Sequence, residues 1–335
     1  MRVLVIGGGV AGYTVAKKLL ASGKVDVKLV DKKDYFEVPY AQLRALVDPD
    51  GLGQASRFLF RSALDQHFLQ GEVVRLEDNA AVLADGQRLE FDAVVLAPGS
   101  RYPSSPLMKG EGLTTLAART RQNREAFARF QAAESFLVAG GGIVGVELAG
   151  ELASAAPSKH VRLAHSGPRL VPNLPAAASS IASAHLRALG VEVLLNAPDA
   201  QPLPGDEVYK TFSPVLATGF LSGSGALDEM GRIRVDPWLR VPERPHWYAV
   251  GDATSIPEPK HGLFASMQAD FVVKHILAIA SGRSAKRRYS AHSLMAGVPI
   301  GPSKGLIVLP FGVVTWKFLL NLKRRDFFTS TFRKL

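Results

Sequence analysis

The sequence predicts an α/β protein with two Rossmann-like, doubly wound domains and a small C-terminal α+β subdomain. A glycine-rich turn that occurs twice carries most of this prediction, and a late Gly-Asp turn after a third apolar strand adds to it. Each glycine-rich turn follows a β-branched, apolar run and opens into a helical pattern. The turns read VLVIGGGVAG and FLVAGGGIVG, with G-x-G-x-x-G spacing at Gly7, Gly9, Gly12, Gly140, Gly142 and Gly145.

This strand–turn–helix context is what a dinucleotide site requires. The glycines allow a tight turn and a close backbone approach to pyrophosphate, and the helix N-terminus faces the negative charge. One such motif is a weak signal, but two in the same context indicate two nucleotides bound by one chain. Electron transfer between the two nucleotides is the simplest reason to hold both.

The first site is expected to hold FAD. Its second strand, VKLVD, ends at Asp31, where a carboxylate accepts hydrogen bonds from the adenosine ribose. Gly251 and Asp252 follow the strand HWYAV, and this arrangement resembles two-dinucleotide flavoproteins, in which the aspartate contacts the ribityl chain. Alone, that Gly-Asp pair would be an ordinary turn. A helix over about 262–280 should direct its N-terminus to the flavin pyrimidine edge, with Lys260 adding positive charge or lying at the surface.

The second glycine-rich turn has different neighbours. Glu147 lies in the first turn of its helix, where it either accepts a hydrogen bond from a nicotinamide carboxamide or is an ordinary helix-start acid. His165 occupies the position that Asp31 has in the first motif, so no acid opposes a 2′-phosphate there. Arg169 either pairs with that phosphate or is an exposed loop charge. NADH or NADPH is therefore the expected co-substrate.

The order of the motifs divides the chain into three parts. Residues 1–110 and 245–285 form a discontinuous FAD-binding domain, since the Gly-Asp segment returns to it. Residues 111–244 form the NAD(P)H-binding domain. Residues 286–335 form a basic subdomain facing the electron acceptor or a membrane.

Composition excludes one route for the electrons and suggests a partner. The chain has no cysteine, so it has neither a redox-active disulfide nor a thiolate metal site, which fits a cytoplasmic protein. Residues 281–335 contain eleven Lys or Arg and one acid, a net charge of +10. Such a tail implies an anionic membrane, nucleic acid or acidic protein as partner, or else a solvated basic face. We expect no signal peptide, because the first strand begins at Arg2 or Val3. We expect no membrane-spanning helix, because no apolar stretch reaches about 18 residues.

The segment 305–328 combines apolar and basic residues. It predicts a strand, GLIVLP, followed by a helix over about 311–322, with Lys323 and two arginines beyond it. That helix either packs on the flavin domain or lies among lipid headgroups, and different faces could do both.

The sequence also resembles a known family. The succession GGGVAG, LRAL, GGGIVGVELAGEL, WYAVGDA and KRRDFFTSTF resembles the ferroptosis suppressor protein group, which are flavin-dependent NAD(P)H:quinone oxidoreductases related to apoptosis-inducing factor and type II NADH dehydrogenases. The resemblance implies that Glu147 lies near the nicotinamide–flavin contact and that Arg44 and Val74 line FAD. It implies that Lys323 and Phe328 contribute to activity. Ala97-Pro98-Gly99 departs from an Ala-Thr-Gly turn, which removes a hydroxyl beside the cofactor at Gly99.

Three functions are compatible with these observations. The first is an FAD enzyme that passes electrons from NAD(P)H to a quinone, with peripheral association at an anionic membrane. The second is a reductase of a small, acidic electron-carrier protein. The third is an NAD(P)H-sensing protein like apoptosis-inducing factor, whose basic surface binds nucleic acid. A homodimer is compatible with the sequence, which does not determine the oligomeric state.

Overall fold

The computed structural model describes residues 1–105, 108–212 and 214–335. The first domain is built on a six-stranded sheet that is parallel except for one edge pair. The edge-to-edge order is β16 (Arg240–Val241), β17 (Arg244–Ala249), β9 (Ala93–Leu96), β1 (Arg2–Ile6), β2 (Asp26–Asp31) and β5 (Phe68–Gln70).

Both faces of this sheet are covered, as a parallel sheet requires. Alternate residues of β1 point to opposite sides, so Val3 and Val5 pack in a different core from Leu4 and Ile6. The first core includes helices α1 (Val10–Ser22) and α8 (Gly262–Ala280). The second includes the antiparallel sheet of β6 (Val73–Leu76), β7 (Ala80–Leu83) and β8 (Arg88–Glu90).

A second, smaller layer of the first domain lies between β2 and β5 in the chain. It was not anticipated from the sequence, where no strong periodicity marks it. Its elements are β3 (Tyr35–Glu37), α2 (Gln42–Val47), α3 (Leu52–Ala55), β4 (Arg57–Leu59) and α4 (Phe60–Leu64), with β3 and β4 paired antiparallel.

The second domain has a four-stranded, fully parallel sheet. Its order is β13 (Glu192–Leu194), β12 (His160–Ala164), β11 (Ser135–Ala139) and β14 (Asp206–Lys210), with helices α5 (Leu116–Ala132), α6 (Ile143–Ala155) and α7 (Ala176–Arg187). Its connection to the first domain includes the antiparallel pair β10 (Ser100–Arg101) and β15 (Val215–Leu216). Leu221, Ala226 and Ile233 already pack in the core of the first domain, so the chain returns there before residue 245.

The C-terminal subdomain contacts both domains. It contains β18 (Ala296–Ile300), β19 (Lys304–Leu309), β20 (Gly312–Val314), α9 (Lys317–Asp326) and α10 (Thr329–Lys334). Val298 and Leu306 pack in the core of the second domain. Phe332 packs in the core of the first, 5.2 Å from the ring of Phe36. The subdomain therefore bridges the two larger domains.

The prediction of a helix over 311–322 is wrong. Gly312–Val314 form β20, which pairs with β19 as a hairpin, and the helix begins only at Lys317. The physical reason is the Val-Val-Thr run that follows Gly312: β-branched side chains favour a strand, and here β19 offers it an antiparallel partner.

One helix bears on the expectation about membrane-spanning helices. Among the described residues, α8 is long and apolar enough to cross a membrane by length and composition alone. It lies instead against the core of the first domain, where Phe264, Ala269, Val272 and Ile276 are buried. A core helix meets the same criteria, so the finding is weak evidence for a span.

The contact between α6 and β18 leads to a stability test. A Cβ atom added to Gly150 would lie 2.7 Å from the backbone nitrogen of Gly301. Glycine to alanine in a helix interior usually stabilises by about 1 kcal/mol. We expect Gly150→Ala instead to lower the free energy of unfolding by about 1–3 kcal/mol, measured by urea denaturation. Gly219→Ala, which meets open space, is the control; a stabilising Gly150→Ala would contradict this packing.

Candidate functional site

One continuous cleft of about 1160 Å³ runs between the two domains and under the C-terminal subdomain. All three parts of the chain line it, so it joins sites that the sequence could only predict separately. Among its lining residues are Gly9, Asp31, Gly99, Asp252 and Lys260 from the first domain, Ile143, Val144 and Glu147 from the second, and Gly297, Leu309, Lys323 and Phe328 from the subdomain.

The two glycine-rich turns share two features of local geometry. The first glycines have positive φ angles, +98° at Gly7 and +115° at Gly140, which side-chain-bearing residues rarely adopt. The third glycines approach the first so closely that a Cβ atom would lie 1.8 Å from the carbonyl oxygen of the first glycine in both turns. Sequence spacing alone predicted this duplication.

The middle glycines, Gly9 and Gly142, serve a different purpose. Each is the N-cap residue of its helix, in extended conformation and without a side-chain hydrogen bond to the helix. A Cβ atom on either would meet nothing within 4 Å. The backbone N–H groups that begin α1 and α6 therefore remain accessible to an anion such as pyrophosphate.

In each nucleotide domain, the side chain at the end of the second strand (β2 or β12) accepts a hydrogen bond from the glycine-rich turn, but the two side chains differ. Asp31 Oδ2 accepts from the backbone N–H of Gly8 at 2.6 Å. His165 Nδ1 accepts from the N–H of Gly141 at 3.3 Å. This equivalence supports the alignment of VKLVD with VRLAH. Because His165 Nδ1 is the acceptor, its ring carries the proton on Nε2 and offers no negative charge.

The late Gly-Asp turn brings further predicted residues to the cleft. Gly251 has a φ of +84°, and Gly99, on the facing turn after β9, has +64°. Asp252 Oδ2 accepts a hydrogen bond from Ser100 Oγ at 3.2 Å. Lys260 donates to the carbonyls of Thr254 and Ile256, both at 2.8 Å, so it braces the turn, and burial lowers its pKa.

The residues around the first glycine-rich turn are suited to bind a dinucleotide that carries a flavin. The open helix N-terminus at Gly9 suits a pyrophosphate, and Asp31 in the same cleft suits a ribose. The cleft then continues past Asp252 to the N-terminus of α8, which has no side-chain cap. There the uncapped N–H groups suit an electron-rich ring edge.

Glu147 and Lys323, predicted separately, form an ion pair. Lys323 Nζ donates to Glu147 Oε1 at 2.8 Å and to the carbonyl oxygen of Gly297 at 2.9 Å. Both side chains are largely buried, with 11% and 16% of their surfaces exposed. Burial raises the pKa of Glu147, and the attraction of Lys323 opposes that rise. The pair joins the first turn of α6 to the C-terminal subdomain.

Phe328, which the resemblance links to activity, lines the cleft. It has a left-handed backbone (φ +62°) between α9 and α10, and its ring lies 5.7 Å from that of Tyr40 in an edge-to-face arrangement. Both rings line the cleft. Phe327 also has a left-handed backbone, but its side chain is buried. This strained turn therefore directs the Phe327 ring into the core and the Phe328 ring into the cleft.

Several other predicted residues do not line the cleft: Gly12, Gly140, Gly142, Gly145, His165, Val74, Arg44 and Arg169. Val74 is 49% exposed, and its neighbour Val73 takes the place at the cleft because successive strand residues face opposite sides. Arg44 forms an ion pair with Glu151 and lies over the ring of Phe327. Arg169 donates to the carbonyl oxygens of Pro172 and Leu174 in its own loop, so its guanidinium is already engaged.

Sequence reasoning missed Tyr40 and Lys109. Lys109 Nζ donates to the carbonyl oxygen of Ser100 at 2.9 Å and lies 3.9 Å from Asp252 Oδ2, and burial lowers its pKa. Neither residue belongs to a motif or a periodic pattern. Only the tertiary structure brings them to the cleft, so no sequence signal could have identified them.

The Lys323-Arg324-Arg325 run is not one surface cluster. Lys323 pairs with Glu147, and all three guanidinium nitrogens of Arg324 are shielded from solvent. Arg325 is exposed. Lys323, Arg324 and Arg325 therefore do not share one exposed face, because α9 directs its side chains to different sides.

Comparisons with known proteins agree with this geometry. A family model described as pyridine nucleotide-disulphide oxidoreductase matches residues 1–269. The chain is 29% identical to ferroptosis suppressor protein 1 of Taeniopygia guttata, covering 98% of this chain and 94% of the relative. It is 28% identical to the human protein of that name, covering 99% and 94%, and 28% to apoptosis-inducing factor homolog B of Dictyostelium discoideum, covering 91% and 88%. The resemblance stated from sequence is confirmed.

Solved structures confirm the fold class. NDH2 from Plasmodium falciparum in complex with NADH has a TM-score of 0.78 at 13% identity, covering 97% of this chain and 94% of that one. The sulfide:quinone oxidoreductase of Aquifex aeolicus has a TM-score of 0.79 at 16% identity, covering 99% and 91%. At these identities the likeness concerns the fold alone.

The buried ion pair predicts a pH-dependent stability. Lys323→Met leaves the Glu147 carboxylate uncompensated, which costs about 3–5 kcal/mol of unfolding free energy at pH 8. The pKa of Glu147 then rises further above its unfolded value, so the folded state binds the extra proton, and the loss should shrink as pH falls toward 5. Urea unfolding at several pH values measures this.

The double variant Lys323→Met, Glu147→Gln should recover most of the lost stability and lose the pH dependence, because no charge is then buried. An equal loss in the single and double variants, at all pH values, would show that the pair contributes only packing.

Proposed function

The chain belongs to the pyridine nucleotide-disulphide oxidoreductase family, and on that premise we propose that it uses FAD to pass electrons from NADH or NADPH to a quinone. The observation that carries the proposal is the single cleft that connects the first glycine-rich turn, Glu147 and the C-terminal subdomain. An electron donor and acceptor can approach one cofactor only if their sites meet in this way. The resemblance to the ferroptosis suppressor protein group, which implies a quinone acceptor, supports the choice of acceptor.

The first domain provides the residues for FAD. Asp31 binds the adenosine ribose, the N–H groups after Gly9 bind pyrophosphate, and Asp252 binds the ribityl hydroxyls. When bound, FAD supplies reversible two-electron chemistry, accepting a hydride and releasing electrons singly or in pairs. Lys260, by bracing the Gly-Asp turn, orients Asp252 toward the cleft.

The second domain provides the site for the coenzyme. Glu147 Oε1 is held by Lys323, which leaves Oε2 to accept a hydrogen bond from the nicotinamide carboxamide. Fixing the carboxylate in this way orients the nicotinamide ring without any movement at the moment of transfer. Lys323 thus acts on the reaction through Glu147, and Phe328 lines the same cleft beside the place for the acceptor.

Neither coenzyme is excluded by the residues at the end of β12. His165 carries no charge that would repel a 2′-phosphate, and Arg169 already donates to its own loop. Since the sequence contains no cysteine, the chain has no disulfide to receive electrons. We infer that an external acceptor takes them directly.

An experiment on the purified protein tests this function. We expect a yellow protein that releases FAD on heating, is bleached by anaerobic NADH or NADPH, and is reoxidised by a short-chain quinone at a rate matching steady-state turnover. Slow reoxidation by quinones but rapid turnover with a small electron-carrier protein would favour a protein acceptor. A long-lived reduced state with both acceptors would favour a nucleotide-sensing protein.

The two glycine-rich turns supply matched variants. A Cβ atom added to Gly9 or Gly142 meets no atom of the described residues within 4 Å, so we expect valine there to occupy nucleotide space and leave the fold intact. Gly9→Val should lose FAD. Gly142→Val should retain FAD but lose reduction by NAD(P)H at least a hundredfold, about 2.7 kcal/mol. If both variants keep FAD and both are reduced normally, the assignment of the two turns is incorrect.

We further propose that the quinone enters from a membrane surface. Phe311, Trp316 and Phe318 are 73%, 45% and 63% exposed, and the ring of Trp316 lies 6.4 Å from that of Phe311 and 6.0 Å from that of Phe318. Leu309 and Leu320, each two residues away in sequence from one of these phenylalanines, line the cleft. Aromatic side chains exposed together in this way favour a lipid interface. Lys317 and Arg325, exposed two turns apart on α9, provide charges for anionic headgroups.

Vesicle binding tests the membrane proposal. Lys317→Gln with Arg325→Gln should weaken binding to anionic vesicles about thirtyfold, since each basic residue contributes about 1 kcal/mol. Salt should reduce binding of the unmodified protein. Trp316→Ser with Phe318→Ser should weaken binding to neutral and anionic vesicles alike, while Phe212→Ser, an exposed aromatic of the second domain, is the control. Turnover with a water-soluble quinone should persist in the charge variant; unchanged vesicle binding in both double variants would refute the surface.

A further inference from the structure

A fully buried carboxylate collects hydrogen bonds from two distant parts of the chain. None of the Glu258 side chain is exposed. Its Oε1 accepts from the backbone N–H of His292 at 2.6 Å and lies 2.8 Å from His292 Nδ1. Tyr289 donates its hydroxyl to both oxygens, at 3.0 and 2.9 Å, and Gln268 Nε2 donates to Oε2 at 2.9 Å.

Gln268 extends this network to the late Gly-Asp turn. Its Oε1 accepts from the backbone N–H of Gly251 at 2.7 Å. The orientation of the amide is determined by its surroundings, because Nε2 must face the carboxylate and Oε1 must face an N–H group. Gly251 precedes Asp252, which lines the cleft. The Glu258 carboxylate is therefore two hydrogen bonds from the turn assigned to the cofactor.

On the other side, the network holds a segment without helix or strand. Residues 283–295 connect α8 to β18, and Tyr289 and His292 attach them to Glu258. The carbonyl of Met295 adds a contact of 2.9 Å to His261 Nε2. Directly beyond lies Gly297, whose carbonyl accepts from Lys323. Residues 283–295 therefore connect Glu258 to Gly297, which contacts Lys323, the ion-pair partner of Glu147.

Stability alone gives little reason for a carboxylate here. Burial disfavours the charged form of Glu258, but the hydrogen bonds from Gln268, His292 and Tyr289 outweigh it and hold its pKa below the usual range. The titratable groups that face it are Tyr289 and His292; Lys260, two residues away, is directed to backbone carbonyls. A well-packed apolar side chain could replace such a buried group at similar stability, whereas only an acceptor can hold several donors in one arrangement.

We propose that Glu258 is a positioning residue that ties residues 283–295 to the Gly251–Asp252 turn through Gln268. The connection keeps the C-terminal subdomain, which carries Lys323, in register with the turn that contacts the cofactor. Loss of the carboxylate would therefore change the cofactor turn and the acceptor side together.

Hydrogen exchange of the full-length protein tests the connection without relying on catalysis. Glu258→Gln keeps the size of the side chain but turns an NH₂ group toward the donors. We expect exchange at the Gly251 amide to accelerate at least tenfold, while amides in the middle of α8 change less than twofold. Tyr289→Phe should accelerate the same amide by a smaller factor. Arg288→Gln is the matched control, because Arg288 precedes Tyr289 in sequence but stacks on Trp238. It should not accelerate exchange at the Gly251 amide.

A second readout depends on the proposed FAD cofactor. The rate of FAD release from the holoenzyme, followed by the fluorescence of free flavin, should rise about tenfold in Glu258→Gln, as expected for one lost charged hydrogen bond. In the double variant Glu258→Gln, Gln268→Glu the amide and the carboxylate exchange places. It should restore slow exchange at Gly251, because position 268 can again accept from that N–H and from position 258.

Unchanged exchange at Gly251 in Glu258→Gln, with only a lower melting temperature, would overturn the proposal and leave Glu258 as a core residue. Uniformly faster exchange along α8 would overturn it in the same way. If the protein holds no FAD, the exchange measurement still decides the connection, so failure of the cofactor assignment remains distinguishable.

Discussion

The ion pair of Glu147 and Lys323 joins the second nucleotide domain to the C-terminal subdomain at the cleft between the domains. Each charge is buried, so each depends on the other, and the carbonyl of Gly297 adds a third partner. The pair can form only when α6, α9 and β18 are packed together. The geometry of the candidate site is thus a consequence of how the three parts of the chain assemble.

The two glycine-rich turns repeat one backbone design beside different side chains. Their first glycines both have positive φ angles, and their third glycines approach the carbonyl oxygen of the first equally closely. The difference lies at the ends of the next strands, where Asp31 and His165 make equivalent hydrogen bonds with opposite consequences for charge. A carboxylate offers acceptors to a ribose, whereas a neutral imidazole leaves room for a phosphate.

The positive charge of the tail is distributed by the fold into separate roles. Lys323 forms an ion pair with a buried carboxylate, Arg333 donates to backbone carbonyls of the first domain, and Arg288 stacks on Trp238. Lys317 and Arg325 remain exposed beside aromatic residues. A net charge read from composition therefore overstates the charge available to a membrane or a nucleic acid.

Sequence by itself determined the two doubly wound domains, the duplicated turns, the positions of Asp31 and Asp252 and the long helix after the Gly-Asp turn. These features depend on local rules: glycine conformation, strand and helix periodicity, and helix N-termini. Tertiary structure alone decided that Val313 and Val314 pair as a strand and that Val73 rather than Val74 reaches the cleft. It also brought Lys109 and Tyr40 to the cleft and joined Glu258 to Gln268. Such outcomes depend on partners far away in the chain, and no local pattern encodes the distance between them.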